Sequence, residues 1–215
     1  MVTTVAEAHI TSLDMGRVAE YEKYFQTIAP RTLTDVFKRW LFAYASVHSS
    51  WESNVRLYNA LKDLSWMDNI HLLKQKIIES RAGLHNNRAD NIMRFSNFFW
   101  KHSDWFNHTP GETWIENRNR IMEQAPGIGR AKAAFLLELV YLHKSELACF
   151  DTHMIQLYGL DQGKIKDKQF DWMEQHWSKA CLDKGVSPVT ARWIFWDIKK
   201  KKLDSRYWTY VLEAV

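Results

Sequence analysis

Apolar residues recur at three- and four-residue steps along almost the whole chain, and this is the spacing of one face of an α-helix. Between residues 34 and 48 the spacing places Phe37, Leu41 and Tyr44 on a single face, and the next segment repeats the pattern after a serine that suits a helix N-cap. Short breaks containing Gly, Pro, Asn or Ser separate further segments of the same kind, with no alternating run of strand length. The sequence therefore predicts an all-α fold.

The composition limits the kinds of site that the chain can build. Cys149 and Cys181 are the only cysteines in 215 residues, too few for a disulfide framework or a four-cysteine zinc or iron–sulfur site. The nine histidines lack metal-ligand spacing, so we expect neither a metal nor an organic cofactor. The longest apolar run, AAFLLELVYL, is too short to span a bilayer and contains Glu138, and the N-terminus does not resemble a signal peptide. We expect a soluble protein of the cytoplasm.

The segment EQAPGIGRAK, residues 123–132, predicts a sharp turn between two helices. Gly127 and Gly129 allow the backbone to turn, and Ile128 fills the corner beneath it. The free amides of Gly127, Ile128 and Gly129 at the start of the second helix, together with the side chains of Arg130 and Lys132, suit a phosphate oxygen. An ordinary helical hairpin with no ligand explains the same residues, so both interpretations stay open.

An Asp-Thr-His turn follows the apolar run, in the sequence CFDTHM. The carboxylate of Asp151 is the candidate catalytic group, because a fixed negative charge can stabilise the positive charge that develops on a sugar when its N-glycosidic bond breaks, or position the attacking water. Asp-Thr-His is also a good N-terminal capping sequence for a helix. Capping is the alternative role for this aspartate.

Taken together, these motifs resemble the helix-hairpin-helix DNA glycosylase superfamily, which includes endonuclease III, the adenine glycosylase MutY and the alkylbase glycosylases. PGIGRAKAAF is similar to the hairpin of that family, and CFDTHM to the segment bearing its catalytic aspartate. GLHNNRADNI, WLFAYASVHSS and GETWIENRNRIMEQ are similar to its DNA-facing loop, to the helix and loop before its wedge, and to the helix that leads into the hairpin. The resemblance covers roughly residues 33 to 160.

The resemblance implies an organisation in two helical subdomains. Residues 33–149 would form a multi-helix barrel that contains the hairpin at about 112–143, and residues 1–32 with 150–215 would form the second subdomain and carry the Asp151 turn. Duplex DNA would bind in a cleft between them. The target nucleotide has to leave the base stack before it can be reached, which requires a wedge and a pocket.

The resemblance also suggests which side chains would act on the base stack. The wedge candidates are Leu84, with His85 beside it, and either His48 or Ser49. The two histidines can equally be exposed residues at helix ends. Pocket walls would come from aromatic side chains that stack on an extruded base, and the candidates are Trp40, Tyr44 and Trp51. Packing in a core is the alternative role for all three.

One departure from the family pattern bears on the reaction. In bifunctional members a lysine directly follows the residue that matches Arg130, and its amine attacks the sugar. Here that position is Ala131, which has no nucleophile. We therefore expect a monofunctional enzyme without lyase activity, with Lys132 contacting phosphate in preference to attacking the sugar. Ala43 stands where MutY-type enzymes carry a catalytic glutamate, which argues against adenine excision.

Basic residues concentrate near the C-terminus, where Lys199, Lys200, Lys201 and Lys202 follow one another. With Arg192 and Arg206 nearby, they form a local excess that can attract a polyanion, and they could replace the backbone contacts of the missing iron–sulfur loop. Cations also suit a helix C-terminus, so a solvated helix end is the alternative.

The hairpin-to-Asp151 segment and the Trp-rich C-terminus also look like glycosylase-fold proteins encoded by DNA viruses of bacteria. If the protein is of that kind, the compartment is the cytoplasm of the host. The main hypothesis is a monomeric, monofunctional DNA glycosylase that excises a damaged or modified base. A base-hypermodification transferase or pyrophosphorylase acting on modified thymine is the first alternative. The second is a non-catalytic protein that binds modified or distorted DNA.

Overall fold

The computed structural model describes residues 5–161, 163 and 165–201, and this part of the chain contains helices and no strand. Its α-helices are α1 (Val5–Thr11), α2 (Met15–Ile28), α3 (Leu33–Ala45), α4 (Trp51–Leu61), α5 (Ile70–Glu79), α6 (His85–Lys101), α7 (Trp114–Gln124), α8 (Arg130–Tyr141), α9 (Thr152–Leu157), α10 (Asp167–Asp183) and α11 (Pro188–Lys200). Short 3-10 helices follow α6 at Ser103–Phe106 and α8 at Leu142–Lys144. The all-α prediction is confirmed.

The described residues divide into two compact units. One unit comprises residues 30–136, and the other comprises residues 5–29 with 137–201. The sequence-based segments, 33–149 and 1–32 with 150–215, differ from these units mainly at the second boundary, which falls inside α8 and not after it.

Aromatic rings hold α3 against α6 in the unit formed by residues 30–136. The Trp40 and Phe95 ring centroids lie 4.5 Å apart, and those of Phe37 and Phe99 lie 5.1 Å apart. Phe106, from the 3-10 helix, meets Phe95 at 5.5 Å. Offset and edge-to-face pairs of this kind add stability beyond the apolar area that they bury. These contacts hold α3 and α6 side by side, and the predicted wedge residues follow the C-terminal end of α3 or lie at the N-terminal end of α6.

Side-chain caps set the ends of the helices around that region. Thr32 and Asp35 form a capping box at the start of α3, and the Ser50 hydroxyl accepts a hydrogen bond from the Ser53 amide at the start of α4. Each of these groups satisfies a backbone donor that has no partner within its helix. The predicted serine cap is therefore present, and only residues 46–50 connect α3 to α4.

Helix α11 is the most deeply buried element of the other unit. Trp193 packs edge-on against Phe25, with ring centroids 6.0 Å apart, and the Trp177 indole donates a hydrogen bond to the Pro188 carbonyl at 3.0 Å. Arg192, on the same helix, is also buried. A buried guanidinium requires acidic or carbonyl partners, and these partners lead to the candidate site.

The described residues contain no membrane-spanning helix, no metal-binding cluster and no disulfide. Within residues 5–161, 163 and 165–201, no helix is both long and apolar enough to cross a membrane. Over the same ranges, no group of three or more His, Cys, Asp or Glu side chains is arranged to hold a metal ion. Cys149 and Cys181 are both buried and are not joined in a disulfide.

Candidate active site

The turn between α7 and α8 depends on Gly127. Its φ is +78°, which is a left-handed conformation that side chains rarely adopt. A β-carbon at this position would lie 2.2 Å from Asn91 Nδ2 and 3.0 Å from Asn91 Cγ, on α6. The backbone angle therefore favours glycine strongly, and a β-carbon would also force the Asn91 side chain to move.

Gly129 has a different role in the same turn. A β-carbon built there meets no other described atom within 4 Å, and its φ is ordinary. Its carbonyl accepts hydrogen bonds from the Lys132 and Ala133 amides, which begins α8. Since neither packing nor backbone conformation requires glycine here, its visible effect is to leave the space above the turn open.

The amides of the turn are not equally available. The Ile128 amide donates to the Ala125 carbonyl at 3.1 Å, and the Ile128 side chain fills the corner of the turn with 5% of its surface exposed. Ile128 was predicted to bind phosphate, but its backbone amide already donates within the turn and is therefore not available to a phosphate. The Gly127 and Gly129 amides donate to no group among the described residues, so they remain candidates.

Two basic side chains stand on the first turn of α8, and both are half-buried. Lys132 Nζ lies 5.4 Å from the centroid of the Phe135 ring, within the range of a cation–π interaction. Arg130 begins the helix, where the positive end of the helix dipole already favours an anion. The local geometry is compatible with phosphate binding by both residues.

Asp151 uses its two carboxylate oxygens for different partners. Oδ1 accepts hydrogen bonds from the His153 amide at 2.9 Å and the Met154 amide at 3.1 Å, which caps α9. Oδ2 accepts a hydrogen bond from Arg192 Nη2 at 2.8 Å. The side chain keeps 26% of its surface exposed. The capping role proposed as the alternative is therefore present, and it leaves part of the carboxylate accessible.

Arg192 connects Asp151 to a second, fully buried carboxylate. Its Nη1 donates to Glu138 Oε2 at 2.8 Å, and Glu138 Oε1 accepts the Cys149 amide at 2.7 Å. The side chains of Arg192 and Glu138 are 2% and 0% exposed. Arg192 was counted with the C-terminal basic excess, and this is corrected: it is buried against carboxylates and is not available to a polyanion.

These contacts set the charge states of the three groups. Burial alone would raise the pKa of Asp151, but the Arg192 charge and the hydrogen bonds to Oδ1 and Oδ2 outweigh it and hold that pKa below its usual value. Burial raises the pKa of Glu138 to about 7, against the opposing effect of Arg192. Burial works to lower the pKa of Arg192, yet the carboxylates around it raise that pKa. Asp151 is thus an ionised carboxylate at neutral pH.

The predicted wedge residues Leu84 and His48 share an unusual backbone. Leu84 has φ +51° and is 54% exposed, directly before α6. His48 has φ +48° and is exposed in the connection between α3 and α4. Left-handed backbone is strained for residues with a β-carbon, and such strain concentrates at functional sites. Ser49 is half-buried and donates to the Val47 carbonyl, and His85 is exposed at the start of α6.

Arg88 organises both of these segments, and sequence reasoning missed it. Its Nη1 donates to the Tyr44 and Ala45 carbonyls at 3.0 Å. Its Nη2 donates to the Val47 carbonyl at 3.0 Å, to Ser49 Oγ at 3.3 Å and, more weakly, to the Ala82 carbonyl at 3.4 Å. The signal was available, since Arg88 shares the helix face of Ile92 and Phe95 at i, i+4 and i+7, a position that predicts burial.

The proposed aromatic pocket is not supported by the burial of its members. Tyr44 is 2% exposed and its ring centroid lies 5.1 Å from that of Phe95, so we assign it to the core. Trp40 is 1% exposed in the same core. Trp51 is half-buried and packs edge-on against Phe42 at 5.8 Å. Of the three rings, Trp51 is the one with a surface that a base could contact.

Solved structures reveal which fold this is. The 8-oxoguanine DNA glycosylase of Thermotoga maritima matches with a TM-score of 0.73 at 19% identity, over 92% of this chain and 97% of that one. The 8-oxoguanine DNA glycosylase of Methanocaldococcus jannaschii matches with a TM-score of 0.72 at 16% identity, over 92% of each chain. The chain has the fold of these DNA glycosylases.

A third solved structure with this fold contains DNA. It is the M. jannaschii 8-oxoguanine glycosylase/lyase in complex with a 15mer DNA containing 8-oxoguanine, with a TM-score of 0.70 at 16% identity over 93% of this chain and 97% of that one. No protein-family model and no curated protein matches the sequence. At these identities the glycosylase fold is common to the proteins, and site residues have to be argued from this chain.

The C-terminal lysines lie at the end of this glycosylase fold. Lys199 and Lys200 are exposed in the last turn of α11, and Lys200 Nζ lies 5.3 Å from the centroid of the Trp196 ring. Lys201 ends the helix with φ +53°. Lys202, and Arg206 beyond it, lie outside the described residues. The three described lysines are placed for a helix C-terminus and are accessible to a polyanion, so both interpretations remain.

Proposed function

We propose that the protein is a DNA glycosylase that hydrolyses the N-glycosidic bond of a damaged or modified nucleotide. The observation that carries the proposal is the Asp151 carboxylate, which is ionised, held by three hydrogen bonds and still partly exposed. The fold, shared with three solved structures of 8-oxoguanine DNA glycosylases, supports it.

In the proposed reaction Asp151 stabilises the sugar as the base departs, or orients the water that attacks the sugar. At about 4 Å and an effective dielectric near 20, opposite unit charges attract by ~4 kcal/mol. At about 1.36 kcal/mol per factor of ten, this corresponds to roughly a thousandfold in rate. The cap on Oδ1 and the guanidinium on Oδ2 hold the carboxylate in place, so little reorganisation is needed as charge develops.

The DNA would be held through its backbone. The Gly127 and Gly129 amides and the side chains of Arg130 and Lys132 are the proposed phosphate contacts, because they combine donors with the positive end of α8. Leu84 and His48 are the proposed wedge residues that occupy the space left when the nucleotide is extruded. The guanidinium of Arg88 supports the backbone on both sides of that wedge.

We further propose that the enzyme is monofunctional. Ala131 stands at the position of the attacking lysine in bifunctional relatives, and an alanine has no amine with which to form a Schiff base. Lys132, one residue further, points from a different side of the helix, about 100° away. Its ammonium lies over the Phe135 ring. We assign Lys132 to phosphate binding and not to strand cleavage.

The first substrate to test is 8-oxoguanine, because the proteins that share the fold are described as 8-oxoguanine glycosylases. Duplexes carrying 8-oxoguanine and a panel of other altered bases are incubated with the protein, and alkali then reports abasic sites. We expect cleavage for at least one substrate, and a loss of roughly a thousandfold in rate for Asp151→Asn. An equally active Asp151→Asn variant would overturn the proposal.

The same incubation separates the two alternative functions. Mass spectrometry of the nucleosides distinguishes loss of a base from a change in its substituent, so a remodelled base that stays on its sugar would indicate a base-modifying enzyme. Retained binding without any chemical change across the panel would indicate a non-catalytic DNA-binding protein. Either result would replace the glycosylase proposal.

A further inference from the structure

Two carboxylates share a single buried guanidinium in this protein. Arg192 donates from Nη1 to Glu138 and from Nη2 to Asp151, at 2.8 Å in both cases. Glu138 is the one charged residue in the apolar run of α8, and its side chain is wholly buried. Only the Asp151 end of this cluster is exposed. The cluster therefore has one accessible carboxylate and one hidden carboxylate.

The buried carboxylate of Glu138 changes the net charge of the cluster that contains Asp151. A lone Asp151–Arg192 pair has no net charge, and its attraction for a cation a few ångströms away is largely cancelled. With Glu138 ionised, the three groups carry a net charge of −1. The position of Glu138 on the far side of the guanidinium allows Arg192 to hold Asp151 in place without neutralising the cluster.

We infer that Glu138, acting through Arg192, preserves the negative charge that Asp151 presents to the sugar. Glu138 is a positioning residue, since it lies behind the guanidinium and does not reach the substrate. The inference rests on the proposed function, and it gives Glu138 a role that the proposed function does not by itself require.

Glu138 helps to compensate the buried charge of Arg192, but Asp151 already supplies one counter-charge to the same guanidinium, so the second negative charge is in excess. Burying a carboxylate in an apolar helix carries a large desolvation penalty, and apolar residues of similar volume often replace buried ion clusters without loss of stability. The Cys149 amide needs only a neutral oxygen as its acceptor. The charge of Glu138 is thus the property that requires a function.

The test measures charge at the site without knowledge of the base. Two duplexes are compared, one with a cationic pyrrolidine abasic analogue and one with the neutral tetrahydrofuran analogue, and the ratio of their dissociation constants is recorded at pH 8. At this pH Glu138 is ionised, because burial raises its pKa only to about 7. We expect wild type to prefer the cationic duplex, and Glu138→Gln to lower that preference by roughly 15- to 35-fold, as for one unit charge at roughly 8–10 Å with an effective dielectric near 20.

The double variant Glu138→Gln/Arg192→Gln separates charge from packing. It removes one negative and one positive charge, so the cluster returns to a net −1 and the preference for the cationic duplex should return. A structural role would make the double variant no better than the single one. Glu146→Gln is the matched control, since it makes the same change at an exposed carboxylate, and thermal unfolding confirms that each variant is folded.

The possible outcomes are distinct. If wild type prefers the cationic duplex and Glu138→Gln keeps the full preference, the inference is wrong and the proposed function stands. If the double variant stays as weak as Glu138→Gln, the role of Glu138 is structural and the inference is also wrong. If wild type shows no preference, the role of Asp151 in the proposed function fails, and the inference fails with it.

Discussion

At the scale of single residues, Asp151 illustrates how one side chain can cap a helix and still be placed for the proposed chemistry. The sequence offered two interpretations, a helix cap and a catalytic carboxylate, and the structure places Oδ1 in the cap and Oδ2 on Arg192. The two roles are compatible because a carboxylate has more acceptor positions than a cap uses.

A first prediction concerns the stability that Asp151 contributes. Asn also caps helices well, so Asp151→Asn should remove mainly the ion pair with Arg192, at a cost of about 2 kcal/mol at neutral pH. Because the folded-state pKa lies below the ordinary value of 3.8, this stability is present above that value and is lost as pH falls through the folded pKa. Thermal unfolding of both proteins should show a difference that shrinks below about pH 4. A difference that is constant with pH would contradict the ion pair.

Ala131 allows a gain-of-function prediction. It is only half-buried in the first turn of α8, so a lysine can be accommodated there. Ala131→Lys should form a covalent DNA adduct under borohydride reduction with a substrate that wild type deglycosylates, whereas wild type should form none. Lys132→Ala combined with Ala131→Lys should retain the adduct. Trapping by the unchanged protein would show that Lys132, or another amine, acts as a nucleophile.

At the scale of elements, the hairpin turn separates the roles of two glycines that are alike in sequence. The pair was expected to shape the turn together. The structure gives that task to Gly127, through its positive φ and the close approach of Asn91, and leaves Gly129 beside open space. Sequence could not separate them, because Asn91 reaches the turn from a different helix.

This difference predicts that two similar substitutions affect stability and DNA binding to different degrees. Gly127→Ala should destabilise the protein by about 2–4 kcal/mol, from left-handed strain together with the Asn91 clash. Gly129→Ala should cost only about 0.5 kcal/mol, as at a helix N-cap, while its methyl group hinders an approaching phosphate and weakens DNA binding. Thermal unfolding and fluorescence anisotropy measure the two effects. Unchanged DNA binding in Gly129→Ala would remove this turn from the proposed interface.

Sequence patterns predicted the helices better than the side-chain contacts between them. Helical periodicity and caps such as Ser50 were sufficient for the all-α fold. The buried ion pairs were not predicted, since Arg192 lies 41 residues from Asp151 and 54 from Glu138 and no local pattern links them. The basic excess near the C-terminus was read from composition alone, which cannot distinguish buried Arg192 from exposed Lys199.

At the scale of the whole molecule, a net charge of +4 gives only a weak general attraction for DNA. The proposed DNA binding must then depend on where the cations lie. Lys199, Lys200 and Lys201 are the exposed cluster that the described residues provide at the end of α11.

Neutralising this cluster tests its role. Replacing Lys199, Lys200 and Lys201 with Gln should flatten the dependence of log K on log salt concentration by about 0.9 for each DNA phosphate that these lysines neutralise. The matched control replaces Lys166, Lys168 and Lys179, three exposed lysines elsewhere, and changes the net charge equally. Equal slopes for the two triple variants would assign the cluster to helix termination alone.

The five hydrogen bonds of Arg88 have a mechanical consequence. One side chain closes both the α3–α4 connection and the segment before α6, so neither can loosen without weakening the other. Slow opening of the two segments should therefore be concerted, and amide hydrogen exchange at residues 46–50 and 82–85 should accelerate together when that guanidinium is shortened to a lysine ammonium.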